Sequence, residues 1–184
     1  MLTVTKRSAW TFVTSSSGGL GVEFVMGEGG ALYLRNPKGA SVTFRYGALG
    51  VGVAAGFKLP KIGKLELNIK NKSVVGGVAP AAFPNAGILY VLDTCKGDDL
   101  TQSDIRGGCL FVEVGGGLIA GVSATAMLLG LAPAWLLAAA AAPEFAFVID
   151  ANLLQSASGV LVMAGVNLGL QAGAGAGAFV GGLW

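Results

Sequence analysis

The strongest constraint on the fold of this chain is an alternation of residue types with a period of two in its C-terminal part. Between residues 160 and 180, every even position holds Val, Leu or Ala, and Gly occupies most odd positions from 165 to 177. Successive side chains of a β-strand point to opposite faces, so a period of two predicts strands. Strands of more than about ten residues are uncommon, so this segment predicts a pair of strands or one long bent strand.

A second segment, Leu49–Phe57, repeats the same arrangement. Apolar residues fill its odd positions, and Gly or Ala fills its even positions. Glycine weakens the interior of a strand, so a run of it usually indicates that another backbone approaches closely. The two segments together predict glycine-faced sheets that pack tightly.

Turn signals divide the N-terminal half into short strands. The sequence predicts a strand at Trp10–Thr14, a loop at Ser15–Gly19, and turns at Glu28–Gly30 and Asn36–Gly39. Further along, Gly115–Gly117 predicts a break or a bulge after another strand. The pattern is that of an antiparallel meander. We therefore predict a mainly β fold, a Gly-rich antiparallel sandwich or closed barrel, in a single domain spanning residues 1–184.

Charge is distributed very unevenly along the chain. Residues 1–106 carry all 12 Lys and Arg and seven of the 10 acids, whereas residues 107–184 carry three acids and no base. A segment of that length without Lys or Arg does not resemble an ordinary water-facing surface. We therefore expect a basic, better-solvated half and an apolar half. The overall net charge of +2 is too small to indicate a nucleic-acid partner.

The stretch 114–143 contains no charged residue and allows two interpretations. By length it qualifies as a transmembrane helix, which needs about 20 apolar residues. Its glycines and Pro133, and the absence of Lys or Arg after it, favour instead an extended segment over 118–131 followed by a short Ala-rich helix at about 134–142. Both interpretations stay open at the level of sequence.

The two cysteines, Cys95 and Cys109, bracket a polar loop. If neighbouring strands flank that loop, a disulfide between them is geometrically feasible; the alternative is two buried thiols. The sequence shows no secretory signal peptide, which leaves a cytoplasmic or a membrane-associated location open.

No pattern of residues predicts chemistry. The chain has no His, which removes His-based catalysis and His-ligated metal sites. Asp98, Asp99 and Asp104 are acids of one loop that either hold a hard cation or are simply solvated, and their spacing matches no calcium loop. We predict no enzyme activity, no catalytic residue, no metal and no cofactor.

Two groups of residues are candidates for contact with a lipid or a protein partner. Bases beside an apolar surface attract anionic head groups, and they also protect an edge strand from aggregation. Indole rings favour membrane–water boundaries, but they are equally common as core residues. The candidates are Lys58, Lys61, Lys64, Lys70, Lys72, Trp10, Trp135 and Trp184.

Three Gly-rich pieces resemble the SYLF lipid-binding domain family. They are Gly18–Gly29, Leu49–Gly56 and Asp104–Gly121, in the order in which that family carries them, and the resemblance covers about residues 18–123. The chain departs from the family by lacking a Ser-Leu-Glu-Gly ending after Gly121 and by continuing for about sixty further residues. The resemblance implies phospholipid binding and identifies no individual site residue.

The sequence therefore predicts a non-enzymatic lipid- or membrane-interacting β-protein, with its lysines facing anionic head groups. The alternative is a structural or assembly protein that packs apolar, Gly-faced sheets against copies of itself or against an apolar protein partner.

Overall fold

The computed structural model describes residues 2–22, 25–54, 67–69, 72–74, 83–117, 120–132, 155–168 and 173–184. Eight strands close into one antiparallel barrel, and two short strands form a separate two-stranded sheet. In chain order the elements are β1 (Val4–Val22), β2 (Val25–Arg35), β3 (Ser41–Ala54), β4 (Leu67–Ile69), β5 (Lys72–Val74), β6 (Phe83–Leu92), α1 (Gln102–Ile105), β7 (Gly107–Gly117), β8 (Ala120–Leu131), β9 (Gly159–Leu168) and β10 (Gly173–Leu183).

The barrel has the strand order β1-β2-β3-β10-β7-β8-β9-β6, and β6 closes it by pairing with β1. Two three-stranded meanders, β1-β2-β3 and β7-β8-β9, are joined on one side by β10 and on the other by β6. Strands contributed by residues 1–106 are therefore contiguous, and so are those contributed by residues 107–184. We call β6-β1-β2-β3 the basic wall and β10-β7-β8-β9 the base-free wall.

The predicted mainly β fold class is confirmed. Of the two predicted architectures, a sandwich and a closed barrel, the structure is the closed barrel. The alternating segment 160–180 falls on two strands, β9 and β10, and the extended segment predicted over 118–131 contains β8. The short helix that the structure describes is Gln102–Ile105, inside the predicted polar loop. The Ala-rich helix expected at 134–142 lies outside the described residues.

Three predicted interruptions are wrong, because the chain stays extended through them. Ser15–Gly19 belongs to β1, Glu28–Gly30 to β2, and Gly115–Gly117 to β7. Each segment pairs with a neighbouring strand, so backbone hydrogen bonds to that neighbour outweigh the local turn preference of Ser and Gly. The chain instead reverses between Val22 and Val25, which pair with each other.

The turn predicted at Asn36–Gly39 is confirmed. The Asn36 side-chain oxygen accepts hydrogen bonds from the backbone N–H of Lys38 at 3.0 Å and of Ala40 at 2.9 Å. Gly39 has a φ of 85°, a conformation that residues with a side chain rarely adopt. Local chemistry alone therefore fixes this hairpin between β2 and β3.

One apolar cluster fills the part of the barrel interior whose side chains the structure describes, and all eight barrel strands contribute to it. Alternation along each strand directs every second side chain inward, as at Leu32 and Leu34 of β2 or Phe44 and Tyr46 of β3. Trp10 and Phe44 contact each other, with ring centroids 6.0 Å apart. The cluster comprises Trp10, Phe12, Leu32, Leu34, Phe44, Tyr46, Ala48, Leu89, Val91, Leu100, Ile105, Cys109, Met127, Leu129, Leu161, Met163, Phe179 and Leu183.

A second apolar cluster lies on the outer face of the barrel. Leu128 and Val160 belong to this cluster and pair with each other, and each stands next in sequence to residues of the inner cluster, so alternation places them on the opposite face. Both are buried, with exposed fractions of 1 % and 0 %. This outer cluster comprises Leu2, Leu92, Leu110, Leu128, Leu131, Ala157 and Val160.

The connection between β6 and β7 packs against the core of the barrel. Leu100 and Ile105 belong to the inner cluster, and α1 contacts β8. Gly130 of β8 has a φ of 74°, and a Cβ there would overlap the backbone oxygen of Asp104. Glycine at this position therefore permits both the local backbone conformation and the close approach of the helix.

The stretch 114–143 is not a continuous helix, because residues 114–117 belong to β7 and residues 120–131 form β8. Among the residues that the structure describes, no helix is long and apolar enough to cross a membrane.

Candidate functional site

The most highly connected polar group of the described residues is the carboxylate of Asp99. It accepts hydrogen bonds from the Ser8 hydroxyl at 2.6 Å, from the Ala9 backbone N–H at 2.8 Å and from the Leu100 backbone N–H at 2.7 Å. Pairing between β1 and β6 is interrupted between Arg7 and Thr11, which frees the backbone of β1 for these bonds. Asp99 therefore takes the place of a strand neighbour at this point.

The electrostatics of Asp99 favour its charged form. Burial raises the pKa of the carboxyl, but the hydrogen bonds from Ser8, Ala9 and Leu100, together with the positive charge of Lys6, outweigh burial and lower the pKa below its ordinary value. A carboxylate with a lowered pKa and several donors already bound is a poor general base. Asp99 thus acts as an anchor that joins the connection between β6 and β7 to β1.

A second bond strengthens the same junction. The indole N–H of Trp10 donates to the backbone oxygen of Leu100 at 2.6 Å, and both residues belong to the inner cluster. Trp10 is buried, which corrects its place among the candidate contact residues: its ring belongs to the core. The neighbouring residues Leu100 and Asp99 are therefore both bonded to β1.

The other two acids of this connection do not converge with Asp99 on one site. The Asp104 carboxylate accepts hydrogen bonds from the backbone and the hydroxyl of Thr101, at 2.8 and 2.6 Å, and so caps α1. Asp98 is exposed. Within the described part of the chain, no group of three or more His, Cys, Asp or Glu is arranged to hold a metal.

The disulfide considered between Cys95 and Cys109 is not formed in the structure. Cys95 follows β6 and Cys109 lies in β7, but β8 and β9 separate those two strands in the barrel. The condition for the disulfide, neighbouring strands on both sides of the loop, is therefore not met. Cys109 is buried in the inner cluster, and Cys95 packs against that cluster.

The remaining candidate contact residues are dispersed. Lys58, Lys61, Lys64, Lys70 and Trp135 lie outside the described residues, and Lys72 begins β5. Trp184 follows β10 and is 59 % exposed. Of the residues named as candidates, Trp184 is thus the one with a described exposed side chain.

The structure shows one exposed group that the sequence did not reveal. The large apolar side chains that are exposed in the described part of the chain are Val13 at 47 %, Tyr33 at 39 % and Trp184 at 59 %. Exposed Arg35 and Arg45 lie on β2 and β3 beside them. We call Val13, Tyr33, Arg35, Arg45 and Trp184 the aromatic-basic patch. Its only sequence signal is the alternation of Tyr33 and Arg35 with the buried Leu32 and Leu34, which did not distinguish it from an ordinary outer strand face.

The architecture defines the chain as an antiparallel eight-stranded β-barrel protein with a filled interior at its described end. In sequence it is 46 % identical over 184 residues to toxin protein Tse4 of Pseudomonas aeruginosa, with 97 % of this chain and 94 % of the relative covered. The chain therefore belongs to the family of toxin proteins that includes Tse4. No family model matches it, and no solved structure matches it significantly, so the SYLF resemblance stays a prediction.

This relationship corrects the function predicted from sequence. Composition and the lysine-rich segment had indicated a lipid- or membrane-interacting protein, with a structural assembly protein as the alternative. The relative, which matches nearly the whole chain, is a toxin, so both predictions are wrong. The error arose because an apolar, Gly-rich composition describes how the barrel is built and says little about what the protein does.

Proposed function

We propose that this chain is a protein toxin. The observation that carries the proposal is the 46 % identity to toxin protein Tse4, which extends over 97 % of this chain. Identity at that level over the full barrel supports the same fold in both proteins. It also supports the same general biological effect, because the match covers 97 % of this chain and 94 % of the relative.

We further propose that the toxin acts by binding a target rather than by a chemical reaction. The whole chain lacks His, so a Ser–His or Cys–His pair cannot form. Among the described side chains, Asp99 and Asp104 are both engaged in bonds that hold the fold together. The aromatic-basic patch is, by contrast, exposed, and its residue types are those that dominate protein interfaces.

Controlled expression in bacterial cells tests the toxin proposal. The chain is induced in the cytoplasm and, with an added export signal, in the periplasm, while growth and the amount of folded protein are followed. We expect growth to slow in at least one compartment. A matched variant, Leu128→Asp, should remove the effect because it disrupts the barrel, whereas the exposed substitution Gln102→Asp on α1, away from the aromatic-basic patch, should keep it. Unchanged growth with folded protein present in both compartments would disprove the proposal.

The dose distinguishes binding from catalysis. A catalytic toxin turns over many target molecules, so a few copies per cell suffice, whereas a binding toxin must approach the number of its targets. We expect the growth defect to increase steadily with the number of toxin molecules per cell. Quantitative immunoblotting at a series of inducer concentrations measures that number. A full effect at a few copies per cell would show that the toxin is an enzyme.

A further inference from the structure

We propose that the aromatic-basic patch is a docking surface for an acidic protein. The inference goes beyond toxicity and does not depend on it, because docking is measured as binding and toxicity as growth. It rests on the position, the residue types and the charge of the patch, and on the absence of an open strand edge beside it.

The members of the patch are neighbours in the sheet. Val13 is the extra residue of a bulge in β1, next to the pair formed by Thr14 and Tyr33. Tyr33 pairs with Thr43, two residues before Arg45. The backbones of Arg45 and Trp184 exchange two hydrogen bonds of 2.9 Å. Adjacent strands are about 4.8 Å apart, so the patch crosses about 14 Å of one continuous surface.

The ring of Trp184 has a fixed support on this surface. A Cβ placed on Gly47 would lie 3.5 Å from Cη2 of Trp184, so the indole lies over a position that has no side chain. A large aromatic side chain held against the sheet loses little freedom on binding, which makes it an effective anchor. Single exposed apolar residues are ordinary on protein surfaces, but three of them beside two arginines on adjoining strands are not scattered.

The charge of the basic wall identifies the chemistry of the partner. Residues 2–15 and 29–48, which include the exposed strand faces around the patch, hold five bases and no acid. Those bases are Lys6, Arg7, Arg35, Lys38 and Arg45. Glu28 of β2 lies just outside these ranges, and Asp99, which bonds to Ser8 and Ala9, offsets Lys6, so the charge at the patch itself is that of Arg35 and Arg45. A surface of one sign attracts a partner of the opposite sign and disfavours a like one. Arginine forms paired bonds to carboxylates, so Asp and Glu side chains are the groups that fit.

The closed barrel excludes the other common way of adding a partner to a sheet. Among the described residues, β2 and β3, which carry Tyr33, Arg35 and Arg45, pair with a strand on both sides, so neither offers an open edge to an additional strand. A partner on these two strands must therefore bind through side chains. Tyr, Trp and Arg are the residues that most often provide the binding energy of such interfaces.

Site-directed photo-cross-linking tests the proposal. The full chain carries p-benzoylphenylalanine in place of Tyr33, or in place of the exposed Gln102 on α1 as a matched control, in cells that produce the protein and in cells that it inhibits. Mass spectrometry identifies what is cross-linked. We expect a protein with an acidic surface to be captured from position 33 and not from position 102.

Direct binding then decides the mechanism. The identified protein is purified and titrated against the wild-type chain, Arg45→Glu, Trp184→Ser and the charge-matched control Arg106→Glu, after thermal melting shows that each variant is folded. We expect Arg45→Glu and Trp184→Ser each to raise the Kd at least tenfold, Arg106→Glu to change it less than threefold, and added salt to weaken binding.

Three results would overturn the proposal. They are a cross-link at position 33 only to lipid or nucleic acid, no protein captured above the position 102 control, and a captured protein whose binding ignores both patch variants. A non-toxic chain that still binds through the patch would refute the proposed function alone, and a toxic chain without patch-dependent binding would refute the docking surface alone.

Discussion

The basic wall and the base-free wall belong to one barrel, but their outward-facing side chains differ in burial. On β2 and β3, side chains alternate between a buried inner position and an exposed outer one. On β8 and β9, the outward-facing Leu128 and Val160 are as fully buried as their inward neighbours, and burial decreases along both strands through Ala126 and Val162 to the exposed Ala124 and Ala164. The uneven charge of the sequence therefore corresponds to two sides of the barrel, because each half of the chain forms four contiguous strands.

Comparison of the two walls shows which feature of a strand sequence predicts burial. Strict alternation, as in Leu32-Tyr33-Leu34-Arg35, indicates a strand with one exposed face. A continuous apolar run, as in Met127–Leu129, indicates burial on both faces. Substitutions at matched positions of the two walls test this contrast.

The largest difference in the free energy of unfolding is expected between substitutions at two outward-facing positions, one on each wall. Leu128→Asp places a carboxylate in a fully buried site without a partner and should prevent folding or cost more than about 4 kcal/mol. Thr43→Asp is exposed and should cost about 1 kcal/mol or less. Urea unfolding followed by tryptophan fluorescence measures both, and equal costs would show that the two outer faces do not differ.

The next largest difference in the free energy of unfolding is expected between substitutions of two glycines with positive φ. Gly130→Ala combines backbone strain with overlap of the Asp104 carbonyl and should cost about 3 kcal/mol. Gly39→Ala in the hairpin of the basic wall has no atom within 4 Å of the added Cβ, so strain alone should cost about 1–2 kcal/mol. The free energy of unfolding is again the measurement. A smaller loss for Gly130→Ala than for Gly39→Ala would contradict the tight approach of α1 to β8.

A smaller effect is expected at the anchor of the basic wall. Asp99→Asn weakens hydrogen bonds from Ser8, Ala9 and Leu100 and should cost about 1.5–3 kcal/mol at pH 7, whereas the exposed neighbour Asp98→Asn should change stability by less than about 0.5 kcal/mol.

The effect of Asp99 should depend on pH in one direction. Its pKa is lowered in the folded protein, so its contribution is complete above the unfolded-state pKa of about 4 and is lost as the pH falls through the lower folded-state pKa. The stability difference between the wild-type chain and Asp99→Asn should therefore shrink below about pH 4. A difference that grows on acidification would reverse the assigned sign.

The smallest effects on the free energy of unfolding are expected for substitutions in the aromatic-basic patch. Val13→Ser, Tyr33→Ser and Trp184→Ser should each lower the free energy of unfolding by about 2 kcal/mol or less, because 47 %, 39 % and 59 % of their surfaces are exposed. Chemical denaturation of the three variants checks this. A loss of several kcal/mol would mean that these residues hold the barrel together and are not a surface available for binding.

Local chemistry explains which parts of the fold could be predicted from the sequence. Asn36–Gly39 bonds to itself, and the segment 160–180 shows its period over two full strands, so both were predicted correctly. The Ser15–Gly19 segment looked like a loop because Ser and Gly favour turns locally, but it pairs with Glu28–Leu32 of β2 in a long hairpin that its own residue types do not indicate. The strand count and the closure of the barrel depend on non-local pairings, which residue types do not encode individually.

The candidate site also depends on contacts between residues that are far apart in sequence, so it could not be predicted. Asp99 and Ser8 are 91 residues apart, so the sequence could show an acidic loop but could not show its anchor. Whether Cys95 and Cys109 are close depends on the order of strands in the barrel. The aromatic-basic patch joins residues from β1, β2, β3 and the end of β10, and each of them alone looks like an ordinary surface residue.

The position of β10 between β3 and β7 has a consequence for how the chain folds. The pairs within each meander join segments that follow one another in sequence, but Gly181 of β10 pairs with Ala48, which precedes it by more than a hundred residues. Such contacts form late and slowly. Until β10 is in place, β3 and β7 present open edges that other chains can join. We therefore expect newly made chains to pass through an aggregation-prone intermediate that a chaperone, or rapid completion of synthesis, must protect.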